Sequence, residues 1–539
     1  MANFALAAAG GIACLAVGII LRYKRRRLNL PPSPPSLPVI GNLLDLPPNG
    51  IPEYLHWLHH KERYGPISSL RVLGKTLVIL HDRHAAHQLL ELQSLKSSAR
   101  PKLEFASNMC DYGNLLPFQQ YNSSYRQRRR LIHQLLGTKA SVTKFDSSQE
   151  REAKRILFRA LYQANTVIES LQSDVAATIL KVTYGYTTEF KVTDPLVTLV
   201  NILVSNISRA AVPATWLVDF MPWIKHLPEW FPGTKFQKIA RQYKETNHLA
   251  VDIPYQFAKK QTSQRGSSSS SLSYVSGLLQ NTKEESVMDQ SLDADIKWTA
   301  AVMYDAGAHT TVAAIKSFIA AMAEFPEVQR KAQREIESVV GTDRLPMLSD
   351  RASLPYVDAL AQEVHRWYTV LPLGFPHVST SDMVYDGYDI PKGAVIIVNV
   401  WWVLHNPDTY AEPERFDPER FLEPRNEPLP TAAFGFGRRI CPGRFFSDST
   451  LFLISAQLLA AFDIARAVDA QGREIKIELR SSVGAVPNLS DFPCRITPRS
   501  SKSADLVKDW TKDLHQMTGD SAKLDQQRVT EVLDIAKLS

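Results

Sequence analysis

Phe434-Gly435-Phe436-Gly437-Arg438-Arg439-Ile440-Cys441-Pro442-Gly443 is the stretch on which the reading of the chain turns. One cysteine is framed by glycines, which let backbone approach a flat ligand closely. Arg439 stands two residues before it, and a largely apolar run from Leu451 to Ala461 follows. Most lone cysteines are small buried hydrophobes, and a structural thiol in a Gly-rich turn is the plain alternative here. The framing favours a metal ligand instead. A thiolate can hold haem iron as a single strong axial ligand and push electron density toward O–O cleavage.

The remaining cysteines, Cys14, Cys110 and Cys494, lie far apart, and no Cys-x-x-Cys pair occurs. A zinc site and a disulfide framework are both poor readings of that spacing. Thinly spread thiols suit a reducing compartment. With 539 residues the chain has room for several domains, but its 44% apolar content in one continuous periodic pattern suits a single large, mainly helical one. The net charge of +7 is concentrated in local runs, Lys24 to Arg27 and Arg126 to Arg130. Neither carries interleaved aromatics or a base-reading motif, so no nucleic-acid partner is expected.

Phe4 to Leu21 are apolar or small and carry no charge. As a helix this span is about 27 Å long, close to the hydrocarbon thickness of a bilayer. Arg22 and Lys24 to Arg27 follow at once, which puts the body on the cytosolic side and Met1 across the membrane. A cleaved signal peptide wants a positive leading region and a cleavage site before polar chain, and neither is well formed. Residues 1–27 therefore read as a retained single-pass anchor in membrane lipid. Pro31-Pro32-Ser33-Pro34-Pro35-Ser36-Leu37-Pro38 forbids helix and makes 28–50 a stiff hinge. Residues 51–500 read as the globular domain, with short strands near Ile67 to Leu80 and Val395 to Val400. Ser267 to Ser271 read as a flexible connector. The tail, 501–539, is polar, with Leu506, Trp510, Leu514 and Met517 at helical spacing.

The pattern Phe-x-x-Gly-x-Arg-x-Cys-x-Gly, matched at every specified position, resembles the haem-binding loop of the cytochrome P-450 monooxygenases. The resemblance runs from about Pro34 to Arg499. Glu53 to Trp57, Tyr64 to Leu70, Trp230 to Gly233 and Phe434 to Phe445 resemble the fungal O-methylsterigmatocystin oxidoreductase group, which mostly works in secondary metabolism. It implies a mainly α fold with small β-sheets, one large catalytic domain behind an N-terminal transmembrane helix. It implies haem b on Cys441, with Phe434 and Gly443 shaping the loop, and oxygenation of an apolar small molecule by hydroxylation or epoxidation. The chain has no Gly-x-Gly-x-x-Gly fingerprint for its own flavin or nicotinamide. Electrons would then come from a membrane-bound NADPH-cytochrome reductase at the endoplasmic reticulum.

Further residues follow from the same resemblance. Tyr304-Asp305-Ala306-Gly307-Ala308-His309-Thr310-Thr311 resembles the family's oxygen-binding stretch, with Ala306 and Gly307 small where oxygen fits and Thr310 as the hydroxyl that passes protons. His309 departs from the pattern by replacing an acid. Asp305, four residues earlier on the same helical face, is expected to orient it or charge-pair with it; a cavity-facing Asp305 holding a basic nitrogen is the other expectation. Arg439, Arg129 and His377 are expected to meet haem carboxylates. Tyr125, where the family usually has tryptophan, is expected to add a hydroxyl donor. Arg126, Arg128 and Arg130 read mostly as a solvated helix face, and His365 and His405 as packing or surface residues. Glu363, Arg366 and Arg420 form the family's buried charge cluster, a folding and haem-retention role. Two other functions fit the same motifs. A reductase-independent haem-thiolate isomerase or dehydratase is made thinkable by His309; a non-enzymatic haem-binding membrane protein would have no use for Thr310.

Overall fold

The computed structural model describes residues 28–538 apart from 49, 213–214, 266–272, 285–289 and 480–488. The expected anchor, its basic run and the Ser267 to Ser271 connector lie outside the described residues. Among the described residues no helix is long and apolar enough to cross a membrane.

The longer helices are α1 (Glu53–Tyr64), α2 (Ser123–Leu136), α3 (Asp146–Tyr162), α4 (Val167–Tyr184), α5 (Pro195–Ala210), α6 (Lys235–Arg265), α7 (Tyr274–Glu284), α8 (Gln290–Glu324), α9 (Pro326–Val339), α10 (Pro355–Trp367), α11 (Arg444–Ala461), α12 (Ser501–Thr511) and α13 (Gln526–Leu538). α8 is the axis of the molecule. Its 35 residues are apolar nearly all round, the pattern of a helix enclosed on every side. It packs along α4 and also meets α2, α10 and α11. Ile296, Ala300, Ile315, Phe318 and Ala320 are fully buried there.

A four-stranded sheet flanks this bundle in the order β1-β2-β6-β3, built from β1 (Ile67–Val72), β2 (Lys75–Leu80), β3 (His377–Val378) and β6 (Val395–Val398). The strand region expected near Ile67 to Leu80 is a hairpin. Leu73 and Gly74 both have positive φ, 47° and 81°, as a two-residue turn matching strand twist requires. Two small hairpin sheets complete the β structure: β4 (Met383–Tyr385) with β5 (Tyr388–Ile390), and β7 (Phe462–Arg466) with β8 (Cys494–Pro498). The Pro-rich segment is docked on the sheet. Ser69 Oγ donates to Pro31 O at 2.6 Å and Asn42 Nδ2 donates to Pro34 O at 3.2 Å.

The C-terminal tail packs on the body. Val507, Leu514, Leu524 and Val532 are buried, as amphipathic helices docked on one face require. α12 lies on α3, and α13 lies on α5 and α6.

Candidate active site

The cysteine loop is held open by close backbone approach. Gly437 has φ 54°, and a Cβ there would sit 2.1 Å from Leu90 O, so only glycine fits. The Cys441 N–H donates to Phe434 O at 2.8 Å and closes the loop. Gly443 is the N-cap of α11, so the helix's positive end faces the sulfur, an arrangement that favours thiolate. Burial pushes the Cys441 thiol up; the Gly443 N–H, Arg129 and Arg444 pull it down. A metal cation on Sγ would complete what those donors begin.

The opposite wall is α8. Ala306 is exposed although Tyr304 and Ala308 beside it are fully buried. An open residue midway along an enclosed helix marks a cavity. Gly307 also lies against α4, where a Cβ would come within 3.1 Å of Ile179 Cδ1. Its smallness serves helix packing. Thr310 Oγ1 donates to Ala306 O at 2.8 Å, one turn back, leaving its lone pairs to accept. Asp305 and His309 are not brought together. No hydrogen bond or ion pair joins them, and the His309 Nδ1 instead lies 3.4 Å from Gln172 Nε2 of α4. The imidazole takes an amide of α4 as its polar neighbour in place of Asp305. Burial, then the Lys316 charge, lowers His309 to about 4. Burial alone raises Asp305 to about 7.

A cluster of cations lies at the loop's other edge. Arg439 donates to three backbone carbonyls, Ser98 O at 2.8 Å, Gln119 O at 2.8 Å and Leu116 O at 3.2 Å. Arg100, unforeseen in the sequence, donates to Pro117 O, Phe375 O and Pro376 O. Burial, then the like charge of Arg439, pushes Arg100 down to about 9. His377 is buried, with Nδ1 2.8 Å from Ser97 O, and burial, then Arg100, lowers it well below its ordinary value. Among the described residues no carboxylate bonds to Arg100 or Arg439, and buried cations without a counter-charge are costly. Haem carries two carboxylates, which fit this cluster. Arg129 donates to Ile440 O at 2.8 Å, bracing the loop. Tyr125 takes another role than the expected carboxylate donor. Its hydroxyl donates to Arg438 O at 3.1 Å, and its ring lies 3.9 Å beneath the Arg439 guanidinium, a cation–π seat.

Behind the loop, Arg366 Nε and Nη2 donate to Glu363 at 2.8 and 2.9 Å, and Arg420 Nε donates to Glu363 Oε1 at 3.0 Å. All three side chains are fully buried. Arg420 also meets Glu427 at 2.7 Å. His365 packs against the Phe434 ring at 4.9 Å, and His405 stacks on Trp401. Arg128 is not solvated as expected. It is buried and donates to Asp295 Oδ1 of α8 at 2.7 Å.

Comparison with known proteins agrees with this geometry. The Cytochrome P450 family profile matches residues 31–487. Cytochrome P450 monooxygenase CLM2 of Gibberella zeae is 43% identical over 94% of this chain and 96% of its own. Multifunctional cytochrome P450 monooxygenase af510 of Aspergillus fumigatus is 43% identical over 92% and 93%. O-methylsterigmatocystin oxidoreductase of Aspergillus flavus is 36% identical over 91% of each chain. Motif, helical frame, thiol loop and relatives converge: the chain belongs to the cytochrome P450 family and is one of its monooxygenases, enzymes that bind haem through an axial cysteine thiolate.

Proposed function

We propose that the enzyme is anchored by residues 1–27 in the endoplasmic reticulum membrane, with its body in the cytosol. It takes electrons from NADPH-cytochrome reductase and hydroxylates or epoxidises an apolar small molecule of fungal secondary metabolism. The observation that carries this reading is the thiol of Cys441, framed by Gly437, Gly443 and the start of α11, beside cations that no carboxylate among the described residues neutralises. Haem b, when bound, supplies the oxygen chemistry. Cys441 holds its metal; Arg100, Arg439 and His377 hold its carboxylates, and Arg129 keeps the loop in register. Thr310 is the hydroxyl nearest Ala306 on the cavity face, placed to hold a proton there. His309 keeps its imidazole neutral at physiological pH and acts, with Gln172, in orienting proton delivery rather than as a charged acid. The opening marked by the exposed Ala306 on α8 is where substrate is selected by shape.

The test is the reduced carbon monoxide spectrum of the full-length protein and of Cys441→Ser. The wild type gives a thiolate-type Soret band and NADPH-dependent oxygen uptake with reductase. Cys441→Ser loses both. Retention of either at wild-type level by the serine variant would falsify the assignment.

A further inference from the structure

His365 lies between Glu363 and Arg366 on the turn of α10 that carries the buried charge cluster. That turn is fixed in place: both neighbours are fully buried, and Arg366 Nη1 also donates to Leu404 O at 3.0 Å. His365 is buried too, and its Nε2 has no hydrogen-bond partner among the described residues. Burial lowers the imidazole below its ordinary value and keeps it neutral. Its specific contact is with an aromatic ring. The imidazole meets Phe434 with centroids 4.9 Å apart and planes at 64°, edge to face. Phe434 ends the short turn Thr431–Phe434, and Gly435 after it has φ 79°. So short a turn, running into a left-handed glycine, holds its last residue weakly through the backbone. Yet Phe434 O accepts the Cys441 N–H at 2.8 Å. That bond occupies the Cys441 amide, while the Gly443 N–H reaches the sulfur.

We propose that His365 is a positioning residue for the Cys441 thiolate. Through the Phe434 ring, the fixed turn of α10 sets the carbonyl that holds the Cys441 amide, and so limits which N–H groups reach Sγ. The proposal rests on the monooxygenase reading and names a residue that tunes its metal. N–H groups at a ligating sulfur draw electron density from it and favour the reduced metal. Loosening Phe434 frees the Cys441 amide to turn toward its own sulfur. Removing the imidazole should therefore make the iron easier to reduce.

Two variants separate the ring from the rest of the side chain. His365→Phe keeps an edge-to-face partner for Phe434 and removes the unpartnered nitrogen; His365→Ala removes the ring altogether. Each full-length, haem-loaded variant is measured by reductive titration, by thermal midpoint, and by amide exchange at Cys441 resolved by fragmentation. At the wild-type midpoint potential, His365→Ala should show a reduced-to-oxidised ratio about fivefold above that of the wild type, the difference one hydrogen bond makes. Its Cys441 amide should exchange faster. His365→Phe should stay within about twofold of the wild-type ratio, with a thermal midpoint no lower. A His365→Ala protein that melts earlier but keeps its potential and its Cys441 protection overturns the proposal, because the imidazole then only fills space. So does a His365→Phe protein whose potential moves as far as that of His365→Ala, because the ring contact would not be what holds Phe434. Should His365→Ala give no folded protein, His365→Leu, which fills the space without an aromatic ring, is read in its place against the same outcomes. Amide exchange does not depend on bound haem. A wild type without the thiolate band therefore sinks the monooxygenase reading, while exchange at Cys441 still decides whether His365 holds the loop.

Discussion

Asp305 and His309 show how far one residue's sequence position falls short of its environment. Four apart on a helix they share a face, but the protein separates them chemically: the imidazole turns to Gln172 and the carboxyl stays alone. Burial lifts Asp305 from 3.8 to about 7. In the unfolded chain the group ionises first as pH rises, so wild-type stability falls between about pH 4 and pH 7. Asp305→Asn removes the titration. The variant should gain on the wild type as pH rises from 5 to 8, by up to about 3 kcal/mol before cavity solvent reduces it. Urea midpoints at the two pH values measure the gap; a gap that narrows toward pH 8 contradicts the assignment. Glu363 is the opposite case, with every oxygen engaged. Glu363→Ala leaves the buried Arg366 without a carboxylate and Arg420 with Glu427 alone, a loss of about 3–5 kcal/mol. Little folded, haem-retaining protein is the expected yield, read by the carbon monoxide band; a normal yield and band would show the cluster dispensable. The cysteine motif and the Glu-x-x-Arg pair were legible because their spacing matches motifs of the family the chain resembles. Arg100 was not: in Ser97-Ser98-Ala99-Arg100-Pro101 nothing marks an arginine whose partners, Phe375 O and Pro376 O, lie far along the chain.

Elements were easier to read than their contacts. An apolar run marks α11, the Tyr304 to Thr311 motif marks α8, and β-rich composition locates the strand regions, because all of these are local patterns. The turn inside Ile67 to Leu80 escaped notice because Leu73, not the usual asparagine or aspartate, occupies its first left-handed position. The arginine run in α2 escaped for a different reason. Five basic or polar residues in a row show no periodicity, so which one faces inward depends on α8 being there. Arg128 is that one, tying α2 to α8 through Asp295 and to Asn114 O at 2.5 Å. Arg128→Ala leaves Asp295 buried without its cation and should cost about 3 kcal/mol or more. Arg128→Ala with Asp295→Leu should recover much of that, since replacing both partners by apolar groups removes the orphaned charge. Thermal midpoints of the single and double variants decide; a double variant no better than the single one would show the tie is not a closed pair.

At the scale of the molecule, the tail is an integral layer. α13 rests on α5 and α6, and the loop before it is fastened to the residues after α4. Asp520 N donates to Thr187 O at 2.8 Å, and Thr187 N donates back to Asp520 Oδ2 at 2.8 Å. Lys154 pairs with Asp513 at 3.0 Å and stands over the Trp510 ring. The polar composition of 501–539 hides this, because two short helices need only a few apolar residues to dock and Val507, Leu514, Leu524 and Val532 are enough. If the contact contributes to the global fold, Asp520→Ala, which orphans the Thr187 N–H, should cost about 1–3 kcal/mol. Val532→Asp should cost more, since it buries an unpaired carboxylate against α5 and α6. Hydrogen exchange distinguishes a seam from a loose appendage: both variants should raise exchange in α5 and α6 as well as in α13. Exchange that rises in α13 alone would mean the tail opens by itself, leaving the helices beneath it unaffected.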